Sequence, residues 1–457
     1  MTNIETMTAK GTKLRKRIKL ILAVAAVLLL GTFGVIQAAS KDAKDPGVRG
    51  GDPGAGDPIY GLTSDEETFF NDGKADFVEE ENVSEGVGPR FNFISCDGCH
   101  SQPATGGTSP VPNPQVALAA EFGNAVPFFI DENGPIREAR FKFNPDGSRD
   151  GGVHNLFVVH NDDCKIAQPD FLAEFKRNNL IFRIPTPLFG AGLIEQISDR
   201  AILANLGLNT SQKSALGIAG RPNWISGKTN NNGNDGTISR FGWKAQNKSL
   251  LLFSGEAYNV EMGITNELFQ TERDETPECQ FATTPNDVTE PGKKEISAIE
   301  KFSFFMRFLA PPTPSAATPG GPVSINNGRK LFTTVGCAYC HTPVLKTGNS
   351  TVVALDNKDV NLFSDLALHQ MGPALADDIL QGEARGDEFR TAPLWGLGQR
   401  IFFLHDGRTD DLVTAIRAHK SYGNSRFGSS EANKVTDNYN ALRESDKQHL
   451  LNFLRSL

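Results

Sequence analysis

Cys96-Asp97-Gly98-Cys99-His100 and Cys337-Ala338-Tyr339-Cys340-His341 hold four of the six cysteines in this 457-residue chain. Both have the form C-x-x-C-H. Two cysteines three apart, on a tight turn entering a helix, reach the two vinyl groups of one porphyrin. The next residue then brings an imidazole beneath the iron. With six cysteines and eight histidines in the chain, such a motif is expected by chance roughly 0.001 times. A zinc site needs four ligands close together, and the two pairs stand about 240 residues apart. A redox dithiol has no use for a histidine at the fifth position of both copies. The motifs therefore read as two covalently bound c-type haems, attached through Cys96, Cys99, Cys337 and Cys340, with His100 and His341 as proximal iron ligands.

Haem attachment of this kind takes place outside the cytoplasmic membrane, and the N-terminus agrees. A basic stretch from Lys13 to Lys19 precedes the largely apolar run Leu20 to Ile36 and the small residues Ala38, Ala39 and Ser40. That order describes a secretory signal peptide. The apolar run also meets the lower limit for a membrane span, so residues 1–39 read as a signal peptide or an N-terminal anchor. Either delivers the rest of the chain to a periplasmic or extracytoplasmic location, with membrane contact through this segment alone. Residues 40–59, rich in Gly, Asp and Pro, read as a flexible tether. Cys164 and Cys279 are not claimed by haem. In an oxidising compartment they are expected to pair, the alternative being two buried free thiols.

Composition bounds the rest. The chain is 39% hydrophobic and 22% charged, with 45 Gly and 26 Pro, an ordinary globular make-up with many turns. The formal charge is −8, and basic residues cluster near the N-terminus, so the body is more acidic still. Such a body has little affinity for nucleic acid and suits a basic protein partner.

Residues 327–336 form a short amphipathic run ending at Gly336, just before the second motif, like the opening of a class I cytochrome c domain. Near the C-terminus Leu450, Leu451, Leu454 and Leu457 make one apolar helical face, and Ser445 with Gln448 has capping-box spacing. That helix is expected to cross the opening one. The Pro-rich residues 310–322 read as a linker. The expected fold is mainly α: two cytochrome c-like haem domains, residues 60–309 and 323–457, the first enlarged by long loops. Residues 295–309 would close the first. The linker folding back, to bring both haems to one interface, is the alternative arrangement.

Several ordered stretches resemble the bacterial di-haem oxidoreductase family, described as thiol oxidoreductases or peroxidases with two c-type haem sites. They include Gly88-Pro89-Arg90-Phe91-Asn92 leading into the first motif, and residues 186–195 (TPLFGAGLIE). Gly220-Arg221-Pro222-Asn223, residues 240–246 (RFGWKAQ), 260–266 (VEMGITN) and 369–373 (HQMGP) follow, with residues 388–398 (EFRTAPLWGLG) last. Residues 389–407 also resemble di-haem cytochrome c peroxidases more distantly. There the family pattern Met-His-Asp-Gly is replaced by Leu404-His405-Asp406-Gly407. The resemblance implies a di-haem oxidoreductase of peroxidase type.

Each iron is either six-coordinate for electron transfer or open on one face for chemistry. Met371, 30 residues beyond His341 in a Gly-Pro loop, is the expected distal ligand of the second haem, with His369 as its rival. Met262 is the corresponding residue for the first haem, with His154 and His160 as rivals. Met306 fits an apolar helix face. Trp243 and Trp395 either relay electrons between the haems or simply bury their rings. The expected function is an exported enzyme moving electrons between two haems and a small-molecule oxidant or reductant, with a protein as electron donor or acceptor. The alternative is a di-haem electron carrier with no substrate of its own.

Overall fold

The computed structural model describes residues 42–161, 163–225, 237–273, 276–289 and 295–457. The expected signal peptide or anchor, residues 1–39, lies outside them. Among the described residues no helix is long and apolar enough to cross a membrane. Five helices frame the body: α1 (Ser64–Val78), α2 (Leu250–Met262), α3 (Ala298–Phe308), α4 (Gly321–Val335) and α5 (Glu444–Ser456).

The frame is built from two crossed pairs. Helix α1 starts at a capping box, in which the Thr63 side chain accepts from the Glu66 amide and the Glu66 carboxylate accepts from the Thr63 amide. It crosses α3 at Gly73, where a Cβ would stand 2.2 Å from the Lys301 carbonyl oxygen. Only glycine lets the two backbones approach so closely. Phe70 and Phe77 then meet Phe305 at ring distances of 5.4 and 4.8 Å. The second pair repeats the device. Helix α4 crosses α5 at Gly328, where a Cβ would stand 2.0 Å from the His449 carbonyl oxygen, and Phe332 packs on Phe453 at 5.5 Å. Each pair carries one C-x-x-C-H motif just beyond or between its helices, so both motifs enter the same local frame.

Helix α5 begins earlier than the capping-box spacing predicts. Its N-cap is Arg443, which makes no side-chain cap bond. Ser445 therefore lies inside the first turn, and Arg443 instead pairs with Asp446 at 2.8 Å.

Long loops and short pieces of sheet fill the space between the pairs. The largest sheet has three antiparallel strands, Val153–His154, Glu138–Phe141 and Leu180–Arg183. Another pairs Leu368–Gln370 with Glu388–Arg390. The molecule is thus helix-rich, as expected, with more small sheet than the sequence periods suggest. A disulfide joins Cys164 to Cys279, with 4.8 Å between their Cα atoms.

Residues 44–457 form one compact unit, and the segments expected as tether and linker are laid against it. Asp45 accepts two hydrogen bonds from Arg455, both at 2.7 Å, and the Arg49 amide donates to the Gly398 carbonyl at 2.7 Å. The Thr313 amide bonds to Gly54 and the Ser315 amide to Ser456. Gly and Pro here specify turns that fit a surface, and backbone bonds to that surface replace the missing apolar side chains. Residues of the first half also reach into the second. Arg221 and Leu368 exchange backbone bonds of 2.9 and 2.7 Å. Arg183 and Lys244 both pair with the buried Asp377, at 2.6 and 3.0 Å.

Candidate haem sites and the wall between them

Ser95 caps the one-turn helix Cys96–Cys99 by accepting from the Gly98 amide at 3.2 Å. The His100 amide closes that turn onto the Cys96 carbonyl at 3.0 Å, which turns the imidazole inward. Its Nδ1 lies 3.0 Å from the Gly107 carbonyl oxygen. A carbonyl can only accept, so the proton sits on Nδ1 and the lone pair on Nε2, the form that binds iron. Burial holds the His100 pKa down at about 4, so the ring is neutral. The Cys96 and Cys99 thiols are pushed up by burial.

These three residues line a cleft that encloses about 1090 Å³, part of it open to solvent. Phe77, Leu188, Phe302 and Met306 supply apolar wall, and Met262 lies on the same lining. The remainder is polar. Arg140 pairs with Glu138 at 2.7 Å, Gln246 brings a buried Oε1 without a partner, and Glu261 faces the cleft from α2. Burial, reinforced by Glu138 and Glu256 and opposed by Arg140, pushes Glu261 up to about 8. At neutral pH it is a protonated carboxyl inside the cleft. His154 and His160 are not on this lining. His154 stacks on Phe141 at 3.6 Å and bonds Asp150 at 2.7 Å, and His160 is exposed.

The second motif repeats the local geometry. Gly336, at φ +109°, ends α4, and the turn Cys337–Tyr339 follows. The His341 amide bonds the Cys337 carbonyl at 2.9 Å, and its Nδ1 lies 3.1 Å from the Phe363 carbonyl oxygen. Burial lowers its pKa to about 4 and raises the Cys337 thiol to about 12. The surrounding cleft encloses about 1450 Å³ and is walled by Phe389, Leu397, Phe403, Leu412, Leu450 and Leu454 among others. Met371, His369, His405 and His419 all reach it.

His369 is not free to bind iron. Its Nε2 lies 2.9 Å from Asp365 and its Nδ1 2.8 Å from Glu431, so both ring nitrogens serve carboxylates. Although burial opposes it, the neighbouring Cys340 sulfur and Asp365 raise this ring well above the usual histidine range. His419 spends its Nδ1 on the Ala415 carbonyl at 2.8 Å, and His405 stacks on Phe389 at 4.3 Å. Met371 bonds Asp387 through its amide alone, at 2.8 Å.

Both clefts fit a haem. In the second, Arg390 and Arg400 are buried, and among the described residues neither pairs with a carboxylate. Arg390 donates to the Gly242 and Thr391 carbonyls, and burial lowers both guanidinium pKa values to about 10. Buried cations without counter-ions are costly. The two propionates of a haem are the anions that would neutralise them. In the first, Cys96, Cys99 and His100 share one lining with the apolar wall of Phe77, Phe302 and Met306, the surroundings a covalently held porphyrin would need.

Trp243 lines both clefts, and its Nε1 donates to the Ile184 carbonyl at 2.9 Å. It is part of the wall between them. Trp395 lines neither and packs against Gly190. Sequence reasoning missed Glu138, Arg140, Glu261, Arg390 and Arg400. Glu261, Arg390 and Arg400 stand inside stretches already singled out by resemblance; Glu138 and Arg140 carry no local signal.

Two clefts, each with a C-x-x-C-H turn and an oriented imidazole, define a di-haem protein. The chain belongs to the family described as "Di-haem oxidoreductase, putative peroxidase", whose pattern matches residues 172–457 and so contains the second motif. Solved structures are similar only at low identity. The diheme peroxidase BthA from Burkholderia thailandensis E264 is 16% identical, with 48% of this chain and 65% of that one covered at a TM-score of 0.28. A MauG-like protein associated with microbial copper homeostasis is 17% identical, with 60% and 90% covered at a TM-score of 0.28. Kuenenia stuttgartiensis hydrazine synthase is 16% identical, with 35% and 55% covered at a TM-score of 0.22. The chain thus spans just under two thirds of BthA and about half of the hydrazine synthase chain. No curated protein matches it.

Proposed function

We propose that this chain is an exported di-haem c-type oxidoreductase of peroxidase type, with thioether links at Cys96, Cys99, Cys337 and Cys340. His100 and His341 are the proximal ligands. Met371 is the distal ligand of the second iron, because His369 is engaged on both nitrogens by carboxylates. The first iron keeps a replaceable sixth position, and Met262, buried in the apolar core, packs as wall.

The observation that carries this reading is the unequal polarity of the two clefts. Bound haem supplies the redox-active iron at each site. In the first cleft Glu261 holds a proton at neutral pH and Arg140 with Glu138 fixes a charged pair, the groups needed to move a proton on and off a small oxidant such as a peroxide. In the second, apolar side chains make most of the wall, and Arg390 and Arg400 would hold the propionates. Trp243 fills the wall and offers an aromatic path for electrons between the two. The acidic body suits a basic protein that delivers or removes electrons, and the N-terminal segment sends the chain to the periplasm or holds it at the outer membrane face.

Cyanide binding by the ferric protein is the direct test. One high-spin haem per chain should bind cyanide or react with hydrogen peroxide while the other stays low-spin. Two unreactive low-spin haems would replace this reading with that of an electron carrier.

A further inference from the structure

The chain has 31 phenylalanines and only five tyrosines. Among the described residues one tyrosine, Tyr258, lines the first cleft. It stands in the middle of α2, 4% exposed, with its ring edge-on to Phe302 at 5.1 Å. Phenylalanine would fill that space equally well. A hydroxyl there is costly unless it is bonded, and it has one specific partner: it donates to Glu81 Oε1 at 2.6 Å, a short, charge-assisted contact.

Glu81 sits between two environments. Its amide donates to the Ile94 carbonyl at 2.8 Å, which ties it to the loop just before Cys96. On its other side it is partly exposed and lines a separate, open surface groove with Glu80, Glu121 and Phe122. The Tyr258–Glu81 bond therefore joins the first haem cleft to the outside by two side chains.

We propose that Tyr258 and Glu81 form a proton-coupled redox relay that draws an oxidising equivalent from the first haem cleft onto Tyr258, one side chain from this surface groove. The proposal rests on the reading of the first site as peroxide-reactive, with hydrogen peroxide as the oxidant. In the step, one electron leaves the Tyr258 phenol for the peroxide-oxidised site, reducing it by one equivalent. The phenol O–H bond breaks, and its proton forms an O–H bond on the Glu81 carboxylate. The products are a neutral phenoxyl radical and a carboxylic acid, so charge inside the protein changes little. A basic one-electron donor protein, docked on the acidic groove lined by Glu80, Glu81 and Glu121, then returns the electron to Tyr258, and the proton goes back from Glu81 to the phenol oxygen.

The chemistry of the pair supports this direction. An oxidised phenol is a very strong acid, so a preformed proton acceptor removes the main obstacle to oxidising a buried tyrosine. Burial, and then the nearby Glu81 charge, keeps the Tyr258 phenol protonated at rest. Burial and the neighbouring Glu79, Glu85 and Asp76 raise the proton affinity of Glu81, against the pull of the Tyr258 bond. A reductant too large for the cleft gains a point of contact outside it.

The test mixes ferric, haem-loaded protein with hydrogen peroxide, freezes it, and records the electron paramagnetic resonance and optical spectra. Wild type should show an organic radical whose hyperfine pattern narrows when tyrosine is ring-deuterated. Tyr258→Phe should lose that signal while its haem bands still respond to peroxide. Glu81→Gln, which keeps a hydrogen-bond acceptor but not the base, should form it more slowly in the same time course. An unchanged radical in Tyr258→Phe, or no radical in a wild type whose haem bands do respond, overturns the relay alone. Haem bands in wild type that ignore peroxide remove the underlying function, and the relay with it.

Discussion

The two haem clefts share one frame and differ in their far walls. Each lies against a glycine-crossed helix pair, at Gly73 and at Gly328. Each points an imidazole inward through an Nδ1 bond to a backbone carbonyl, at 3.0 Å from Gly107 and 3.1 Å from Phe363. Beyond that the first cleft gathers Glu138, Arg140, Gln246 and Glu261, whereas the second sets Met371, His369 and the buried Arg390 and Arg400 within a mostly apolar ring. The difference teaches that the proximal half of such a site is a local device that can be repeated, while the distal half is assembled separately. On the proposed reading, a protonated carboxyl would equip one iron for proton chemistry and a thioether the other for electron exchange.

The most severe way to break the comparison is to remove one attachment at a time. Replacing Cys96 and Cys99 together by Ala should remove one covalent haem equivalent per chain, and the Cys337/Cys340 double change should remove the other. Haem-stained denaturing gels and the pyridine haemochrome assay read both. Retention of two equivalents in either double variant would contradict the assignment.

Next in size is the exchange of distal roles. Met371→Ala should turn the second haem from low-spin to cyanide-binding and lower its potential, whereas Met262→Ala should leave both spectra as they are. For Met262→Ala the expected effect is on stability alone, about 2–5 kcal/mol for an emptied core position. A spectral change in Met262→Ala with none in Met371→Ala would reverse the two sites.

The wall that couples the halves offers a third test. Asp377 is buried between Arg183 and Lys244. Asp377→Asn leaves two buried cations without a counter-ion and should cost about 3–5 kcal/mol in chemical denaturation. A loss under about 1 kcal/mol would mean that the ion pairs do not hold the halves together.

The smallest effect is on pH dependence. Burial lowers Lys244 from 10.5 to about 8, against the attraction of Asp377. Between those values the unfolded chain holds a proton that the folded one has released, so stability should rise with pH across that window. Lys244→Met should flatten that part of the stability profile, and an identical slope in wild type and variant would refute the coupling.

Much of the frame was legible in the residues. The opening helix before Gly336, the closing C-terminal helix and the helix over residues 295–309 all show the 3.6-residue apolar period and stand where expected. The cap of α5 was misplaced, since Ser445 lies inside its first turn and no side chain caps it. The tether and linker were legible as turn-rich, but not as surfaces bonded to the body. Their backbone partners, Gly398 and Ser456, lie hundreds of residues away for the one and about 140 for the other.

The same limit separates the two halves of each haem site. Cys96, Cys99 and His100, like Cys337, Cys340 and His341, stand together because they are adjacent in the chain, and the proposed haem attachment needs residues within one turn. His369 shows what only the tertiary structure decided. Two residues from Met371, it looks like an equal rival until Asp365 and Glu431 close on its two nitrogens from positions 4 and 62 residues away. Trp243 and Trp395 are likewise indistinguishable as sequence, yet one stands in the wall shared by both clefts and the other stands in neither. A local motif fixes bonds that a short chain can close on itself. A distal ligand, a buried carboxyl's proton and a shared wall depend on which remote segments fold against it, because burial and neighbouring charge exist only once the chain has packed.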